Sequence, residues 1–512
     1  MATNTTQATL LTRYLQTLNG ATPDAAATAF YASLDLINRT SPTIAAAILQ
    51  ELADQRQNLK LIASENYSSL ATQLASGNLL TDKYAEGYPA HRFYAGCDNV
   101  DVIESEAAEL ARSLFGAEHA YVQPHSGADA NLVAFLAILS QKAQKPLLES
   151  LKIENVSTAS REDWQKVRAA VTNQRLLSLD YYSGGHLTHG YRHNISSWLF
   201  DVSTYTVDRE SKLIDLDQLR KQLHEVRPLI LLAGYSAYPR KLNFAKMREL
   251  ADEVGAVLMV DMAHFAGLVA GKVFTNEYNP IPHAHVVTST THKTLRGPRG
   301  GLVLCQQEFA EWVDKGCPML LGGPLPHILA AKAVAFREAS QPEFQTYAHK
   351  IVENAQALAE ACLDESLQVM TNGTDNHLLL LDVAQTFGMT GRQAESALRA
   401  CRITLNRNSL PFDAHGPWYT SGLRLGTPAL TTLGMGRAEM QEVARIIKLV
   451  LSNTHPSMTA NGKASLAKYL LDETIQSQAQ DRVRDLLSHY PLYPELDAAL
   501  LKEAMPVGRG VV

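Results

Sequence analysis

Val286-Val287-Thr288-Ser289-Thr290-Thr291-His292-Lys293-Thr294-Leu295-Arg296-Gly297-Pro298-Arg299-Gly300-Gly301 joins two kinds of chain. Its first half is β-branched and apolar, the composition of a strand leaving a core. Its second half is punctuated by glycine and proline, the composition of a loop. A lysine stands at the join. Most lysines that follow strands are solvated charges. On a short hydroxyl-rich turn at the end of a buried strand, desolvation and nearby positive charge can lower the lysine pKa, so that the amine becomes a nucleophile forming Schiff bases. The stretch alone leaves both readings open.

Upstream, the same alternation repeats. A helix over Phe244–Val254 precedes a strand over Ala256–Val260, which ends in Asp261-Met262-Ala263-His264-Phe265-Ala266-Gly267. Leu229–Leu232 reads as a strand running into Ala233-Gly234-Tyr235-Ser236, and Leu176–Leu179 as one running into Tyr181-Tyr182-Ser183-Gly184-Gly185-His186-Leu187-Thr188-His189-Gly190. After a helix over Val102–Phe115, Ala120–Gln123 is a strand whose turn, Pro124–Ala130, opens a helix over Asn131–Leu139. Strands alternating with helices, with polar groups at the strands' C-terminal ends, predict an open, mostly parallel α/β sheet with its site at those ends.

The flanks differ in character. Residues 1 to about 60 read as a peripheral helical arm, with a helix starting at Ser41-Pro42 and an apolar face of Ile44, Ile48, Leu49 and Leu52. The stretches 61–68 and 84–96 are irregular and rich in Tyr, Gly, Ser and Glu, and read equally as functional loops or as solvated loops anchored by tyrosines. Residues 141–175 form a polar helical excursion, with a capping signal at Ser160-x-x-Asp163 and no chemistry to assign. Beyond Gly301–Leu304 a turn at Leu321–Pro324 leads to a long helical bridge from Pro326 to about Ala361. A smaller α+β domain and a helical, Pro/Tyr-rich tail complete the chain. The expected division is 1–65, 66–341 and 342–512.

A chain of 512 residues is too long for one ordinary core, and its net charge of −6 gives no footprint for nucleic acid or an anionic membrane. Five cysteines, scattered and without a CxxC pair, fit a reducing compartment and speak against a disulfide framework or a structural zinc site. There is no basic segment followed by an apolar run at the N-terminus, and the longest apolar runs are strand-sized, so the expected location is the cytoplasm.

A turn suited to phosphate, a GGH loop, an Asp-x-x-His and a lysine therefore collect at strand ends. Pyridoxal phosphate needs such parts: a helix N-terminus for the phosphate, a lysine for the aldehyde and a carboxylate for the pyridine nitrogen. Taken singly, each has an ordinary structural explanation: Asp261 as a helix cap, His186 as a hydrogen-bonded loop histidine, Ser126-Gly127 as a small-residue helix start. A metal site from Asp261, His264, His283, His285 and His292 is the competing chemistry, although no HExxH or comparable ligand motif is present.

These stretches carry a resemblance. LIASENYSS at 61–69, DKYAEGYPAHRFYAGC at 82–97, VQPHSGADAN at 122–131, GGHLTHG at 184–190, SAY at 236–238, VDMAHFAGLVAG at 260–271, HAHVVTSTTHKTLRGPRGG at 283–301, GGPLPHILAAKAVAF at 322–336 and TSGLRLGTPA at 420–429 resemble the serine hydroxymethyltransferase (glycine hydroxymethyltransferase) family, in order along the chain. The resemblance implies an aspartate-aminotransferase-like large domain (pyridoxal-phosphate fold type I) with a mostly parallel seven-stranded sheet, a smaller α+β C-terminal domain and a helical N-terminal arm. It also implies a homodimer with shared active sites, with a tetramer as a further option. The implied activity is the reversible conversion of L-serine and tetrahydrofolate to glycine and 5,10-methylenetetrahydrofolate, a transferase reaction of one-carbon metabolism and glycine biosynthesis. Side aldolase or alanine racemase activity would share its chemistry. A folate-independent aldolase of 3-hydroxy amino acids is the alternative enzyme, and a catalytically silent scaffold subunit the alternative from another class.

By the same resemblance Lys293 is the Schiff-base lysine, Asp261 partners the pyridine nitrogen and His186 stacks on the ring. Ser126, Gly127 and Ala128 hold the phosphate. Ser236 and His264 lie near the cofactor's phenolic oxygen, His292 against the cofactor, and Thr290 among the catalytic residues. Arg424 and Ser64 meet the substrate carboxylate side. Tyr84, Glu86, Tyr94 and a phosphate contact at Gly323 come from the partner subunit, and Gly185 and Asn408 match folate-contacting positions. Glu86 is expected to carry a proton, since a carboxyl buried among tyrosines can have its pKa raised. The chain departs from the family at Ala128, where serine is usual, at Cys317–Leu321, in the longer N-terminal arm, in the 141–175 excursion and beyond 430.

Overall fold

The computed structural model describes residues 8–504. Seven strands form the central sheet: β1 (His119–Tyr121), β2 (Arg175–Leu179), β3 (Asp201–Tyr205), β4 (Ile230–Gly234), β5 (Val257–Asp261), β6 (Val286–Thr290) and β7 (Gly301–Cys305). Their spatial order is β1-β7-β6-β5-β4-β2-β3. β7 runs antiparallel to both β1 and β6, and the other pairs are parallel. The strand ends that the sequence reading singled out therefore emerge along one edge.

Strands β4 to β7 are buried at every residue, as expected where helices cover both faces of a sheet. Successive side chains alternate between the two faces. Leu231, Leu258 and Val287 pack in one cluster with the helices α1 (Asp98–Phe115), α3 (Phe244–Val254) and α4 (Pro326–Ala339). Ile230, Leu232, Met259 and Val286 pack in the other with α2 (Gly127–Leu139).

A second sheet, β8 (Leu378–Asp382), β9 (Asn406–Asn408) and β10 (Gly422–Gly426), is antiparallel in the order β8-β10-β9. Its core joins Leu379, Leu381, Leu423 and Leu425 to the helix Arg437–Ser452. The helix α5 (Pro342–Asp364) links the two bodies. Phe344, Tyr347 and Ile351 sit in the first core, and Ala357, Leu358 and Cys362 in the second. At the other end of the chain, Leu59–Lys60 pairs in parallel with Ile403–Thr404, and Leu59 and Leu61 enter the second core. The helices Leu10–Thr17, Ala25–Thr40 and Pro42–Gln57 pack on the C-terminal tail, where Tyr14, Tyr31 and Leu49 meet Leu492, Leu496 and Leu500.

Several expectations change. The helical bridge from Pro326 is two helices, broken at Ser340–Gln341 because Pro342 has no N–H and its ring crowds the preceding turn. The strand at Ala120–Gln123 is His119–Tyr121, and the next helix begins at Gly127 rather than Asn131. Gly301–Cys305, which the sequence reading assigned to no element, is a strand of the sheet, and Asp201–Tyr205 is an edge strand with no clear apolar pattern. In the helix Pro42–Gln57, Leu49 and Leu52 are buried with Ala45 and Ala53, whereas Ile44 and Ile48 face outward. Ser160 caps the helix Arg161–Thr172 as its sequence signal suggests.

The N-terminal segment is held to β10 by close backbone contact. Leu61 O accepts the Gly426 N–H at 2.8 Å, and a Cβ on Gly426 would lie 2.4 Å from Ala63 Cα. Gly426→Ala is expected to destabilise the fold by about 1–3 kcal/mol, the usual range for overpacking. A urea titration followed by circular dichroism checks this, with a lower midpoint and an unchanged slope as the expected result.

Candidate active site

Lys293 lies three residues beyond the end of β6, in the loop that returns through Gly300 to β7, and is 8% exposed. Asn66 Nδ2 donates to its backbone carbonyl at 2.9 Å and also to Tyr347 Oη, so the 61–69 stretch helps to hold the lysine's loop. Burial lowers the ammonium's pKa to about 8, against the pull of the Asp261 carboxylate and with the help of Arg424 and Arg299.

Asp261 closes β5 and is 7% exposed. Its Oδ2 accepts from Asn131 Nδ2 at 2.9 Å and from His189 Nε2 at 3.0 Å, and its Oδ1 from the Ala263 N–H at 3.0 Å. His189 Nδ1 accepts the His186 N–H, which leaves the proton on Nε2 for the carboxylate. Burial alone would raise the Asp261 pKa, but the His189 donor, neighbouring imidazoles and Asn131 outweigh it and hold the carboxyl far below its usual range. Asn131 is fixed in turn by Thr288 Oγ1 and reaches Thr188 Oγ1. Thr188 bonds His186 Nδ1 at 2.7 Å, so the His186 ring is oriented by a chain that begins at Asp261. Burial, followed by the charge of His189, lowers the His186 pKa to about 4.

His264 is 3% exposed and stacks on His377, with Nδ1 3.2 Å from His377 Nε2. Burial, then the charges of Lys293 and Arg424, keep it well below the usual imidazole range. Arg424 comes from the middle of β10, opposite Leu380 and Asn406. Its Nε donates to Asn406 Oδ1 at 3.1 Å and its Nη1 to Ser236 O at 2.7 Å, leaving N–H groups of the fork for a ligand. Burial lowers its pKa to about 10. Arg424, Ser236, Gly185, His186 and Asn408 share a cleft of ≈ 270 Å³ with Asn406. Gly185 is buried against the Leu179 carbonyl, which a Cβ would meet at 2.1 Å, and the Asn408 amide bonds Ser409 O. Ser64 is half-buried in the segment whose neighbour Ala63 touches Gly426.

The turn before α2 lies against the end of β6. Ser126 caps the helix by accepting the Asp129 N–H at 3.2 Å, and Thr290 Cγ2 fills the space where a Gly127 Cβ would stand. Ala128 is exposed on the first turn. Thr290 Oγ1 bonds Ala263 O at 3.3 Å. His125 Nε2 and His292 Nδ1 are buried without a partner, and burial brings the His292 pKa to about 3.

Tyr84, Glu86, Tyr94 and Gly323 form a separate group. Tyr84 Oη bonds Glu86 Oε2 at 3.1 Å, the two tyrosine rings meet edge to face at 4.9 Å, and Gly323 packs against the Tyr84 ring. Among the described residues no hydrogen bond joins this group to Lys293, Asp261 or Arg424. Its tyrosines are half exposed beside Phe93, which is 67% exposed. Arg92 was not singled out in the sequence, yet its Nη1 donates to Ala85 O and Gly87 O, on either side of Glu86, while Asp101 and Glu104 hold the guanidinium.

An amine, a buried carboxylate, an oriented imidazole, a guanidinium fork and a helix N-terminus flanked by two unpartnered imidazole nitrogens form a donor set that fits pyridoxal phosphate. The metal set named from sequence does not assemble: His285 Nδ1 accepts the Leu258 N–H and His283 Nε2 faces Asn276 O. Among the described residues, His186, His189 and Asp261 are the group close enough to hold an ion, and their hydrogen bonds are made to one another and to Thr188 and Asn131. His189, Asn131, Thr188, Asn66 and His377 were missed in sequence. Each lies within or beside a stretch already singled out, but no spacing tells which buried group it will meet.

A family model described as serine hydroxymethyltransferase matches residues 37–149 and 152–447. A protein named serine hydroxymethyltransferase from Treponema pallidum (strain Nichols) is 60% identical over 474 residues, 93% of this chain and 82% of that one. One of the same name from Salinispora tropica is 56% identical over 93% of this chain and 99% of its own length. Another, from Chlamydia trachomatis serovar L2, is 51% identical over 96% of this chain and 100% of its own.

A lowered lysine pKa has a direct kinetic signature. The neutral amine is the reactive form, and its fraction rises with pH through the Lys293 pKa of about 8. Attachment of pyridoxal phosphate to stripped protein is expected to quicken up to about that pH and then level off. An unperturbed lysine would keep quickening toward pH 10.5. Borohydride trapping at a series of pH values, with the labelled peptide located by mass spectrometry, reads the profile.

Proposed function

The chain belongs to the serine hydroxymethyltransferase family, and we propose residue by residue how it carries that family's reaction. It is a pyridoxal-phosphate-dependent transferase that interconverts serine and tetrahydrofolate with glycine and 5,10-methylenetetrahydrofolate. One observation supports the residue roles above the others: a desolvated amine, Lys293, just beyond the end of β6, feels both the Asp261 carboxylate at the end of β5 and the Arg424 guanidinium in the middle of β10.

Lys293 would hold the cofactor's aldehyde carbon. Asp261 would keep a proton on its ring nitrogen, His186 would cover the ring face, and the Ser126–Ala128 turn would bind its phosphate. His264, Ser236 and His292 would line it. Bound there, the group supplies an aldehyde that takes up amines and a ring that draws electrons from the bond broken at the α-carbon. Arg424 grips the amino acid's carboxylate through N–H groups not used by Asn406 and Ser236, and Ser64 lies on the same side. A carboxylate clamped there orients the amino acid, and orientation decides which of its bonds lies in line to break. Lys293, whose burial lowers its pKa to about 8, would be suited as a free amine to moving a proton at the α-carbon. Thr290 lies at the same strand end. Gly185 and Asn408, in the cleft with Arg424, would meet the folate.

Tyr84, Glu86, Tyr94 and Gly323 fit a site completed across a homodimer. They stand together on a partly exposed aromatic surface, where Tyr84 bonds Glu86, meets the Tyr94 ring and packs on Gly323, and Glu86 would move a proton at the hydroxymethyl group or folate. The three parts 1–65, 66–341 and 342–512 are taken as arm, cofactor domain and small domain, with α5 and the Leu59–Leu61 segment tying them together. A cytoplasmic location accords with five free cysteines. No helix among the described residues is long and apolar enough to cross a membrane.

Two experiments test these roles. Arg424→Lys removes the planar fork and is expected to raise the KM for serine at least about a hundredfold while moving the folate KM little. An unchanged serine KM would exclude Arg424 from the carboxylate site. For the shared site, Lys293→Gln and Glu86→Gln are each expected to be inactive. Equimolar subunits refolded together should recover about a quarter of native activity, because half of a random mixture is heterodimer with one intact site in two. No recovery would mean that Glu86 serves its own subunit.

A further inference from the structure

Lys332 is a fully buried cation that the reaction outlined above does not use. It lies in the middle of α4, is 1% exposed, and its ammonium meets the backbone that leaves β1 and enters β7. Nζ donates to Val122 O at 2.5 Å, Pro124 O at 3.0 Å and Gly301 O at 2.9 Å, so all three of its N–H groups are taken by backbone carbonyls. Among the described residues no carboxylate bonds it. Burial lowers its pKa to about 7, against the more distant charges of Glu104 and Asp129. A buried charge of this kind is costly unless its surroundings need it.

The three carbonyls are not scattered. Val122 and Pro124 lead out of β1 straight into Ser126 and Gly127, and Gly301 opens β7 beneath them. The Gly301 N–H donates to Pro124 O at 2.8 Å, and a Cβ on Gly301 would stand 2.2 Å from Ser126 O. The turn thus rests on Gly301, and Lys332 ties both to α4. Its charge is also felt at His292.

We propose that Lys332 is a positioning residue for the anion-binding turn: by tying Val122, Pro124 and Gly301 to α4 it holds the Gly127 and Ala128 N–H groups on a phosphate dianion, and it sets a buried positive charge behind that anion. This rests on the reading that the Ser126–Ala128 turn holds the cofactor phosphate. The prediction concerns selectivity for the phosphate, not general stability. The full-length enzyme, stripped of cofactor, would be titrated with pyridoxal phosphate and with pyridoxal, which lacks the phosphate, and the two dissociation constants compared. Lys332→Gln keeps two N–H donors without the charge, and Lys332→Met keeps neither. The preference for the phosphorylated form should fall about tenfold in the first and further in the second, the scale of losing charged hydrogen bonds, while pyridoxal affinity stays within a few fold. If both constants rise together, or neither moves, the proposal fails.

Ser126→Ala separates the two claims. If it lowers the phosphate preference and the Lys332 variants do not, Lys332 has no such role. If it leaves the preference untouched, the turn itself is not the phosphate site. Should the Lys332 variants fail to fold, Gly300→Ala decides, because its Cβ would meet Lys332 Cε at 2.5 Å and displace the ammonium without removing it. The same loss of preference is expected there, and an unchanged preference would overturn the inference.

Discussion

The arrangement depends on keeping one carboxylate ionised inside a protein. Asp261 ends a strand buried on both faces, where desolvation favours the neutral acid. Three N–H donors reverse that preference, and each comes from a different part of the chain: Asn131 on α2, His189 in the loop after β2, and Ala263 just beyond the aspartate itself. Because Asn131 also engages Thr288 and Thr188, and Thr188 orients His186, the carboxylate fixes the flat ring as well as the charge. A polar network of this kind is stable only when every member is satisfied, so its geometry is demanding.

Lys293 is the counterpart of that carboxylate. Its environment pulls both ways: Asp261 favours the ammonium, while burial and two arginines disfavour it. The balance leaves an amine whose proton is lost near neutrality, a condition for both holding an aldehyde and moving protons. Arg424 arrives from the second body on β10, and its two internal hydrogen bonds make it rigid before any ligand binds. The α5 helix and the paired Leu59–Lys60 segment hold the two bodies in register, so the distance between amine and guanidinium is a property of the fold.

Buried cations recur at this strand edge with different tasks. Lys293 enters no hydrogen bond through its amine among the described residues, and Lys332 has all three donors engaged by carbonyls. Their side chains are the same, and the surroundings separate them. One stands among ionisable groups, Asp261, Arg424 and Arg299. The other lies beneath a backbone turn whose carbonyls need donors.

Local pattern was enough for most elements of the sheet. Apolar, β-branched runs ending in glycine or hydroxyl-rich loops marked β2, β4, β5 and β6, and the 3.6-residue repeat marked α1 and α3 to within a few residues. The chemistry at the strand ends was legible because Lys293, Asp261, His186 and Ser126-Gly127 each follow a strand, and a parallel sheet brings such ends together. Elements with weaker periodicity escaped: β3 lies at the sheet edge and carries polar residues, and β7 was hidden behind the glycines that precede it. The partners of the buried groups were not legible at all. His189 and Asn131 are 72 and 130 residues from Asp261, Lys332 is 210 from Val122, and Arg92 grips the backbone around Glu86. Backbone propensity and side-chain period are properties of neighbouring residues, and so the sequence by itself determined them. Which donor satisfies which buried charge depends on the packing of distant segments, and only the tertiary structure decided that.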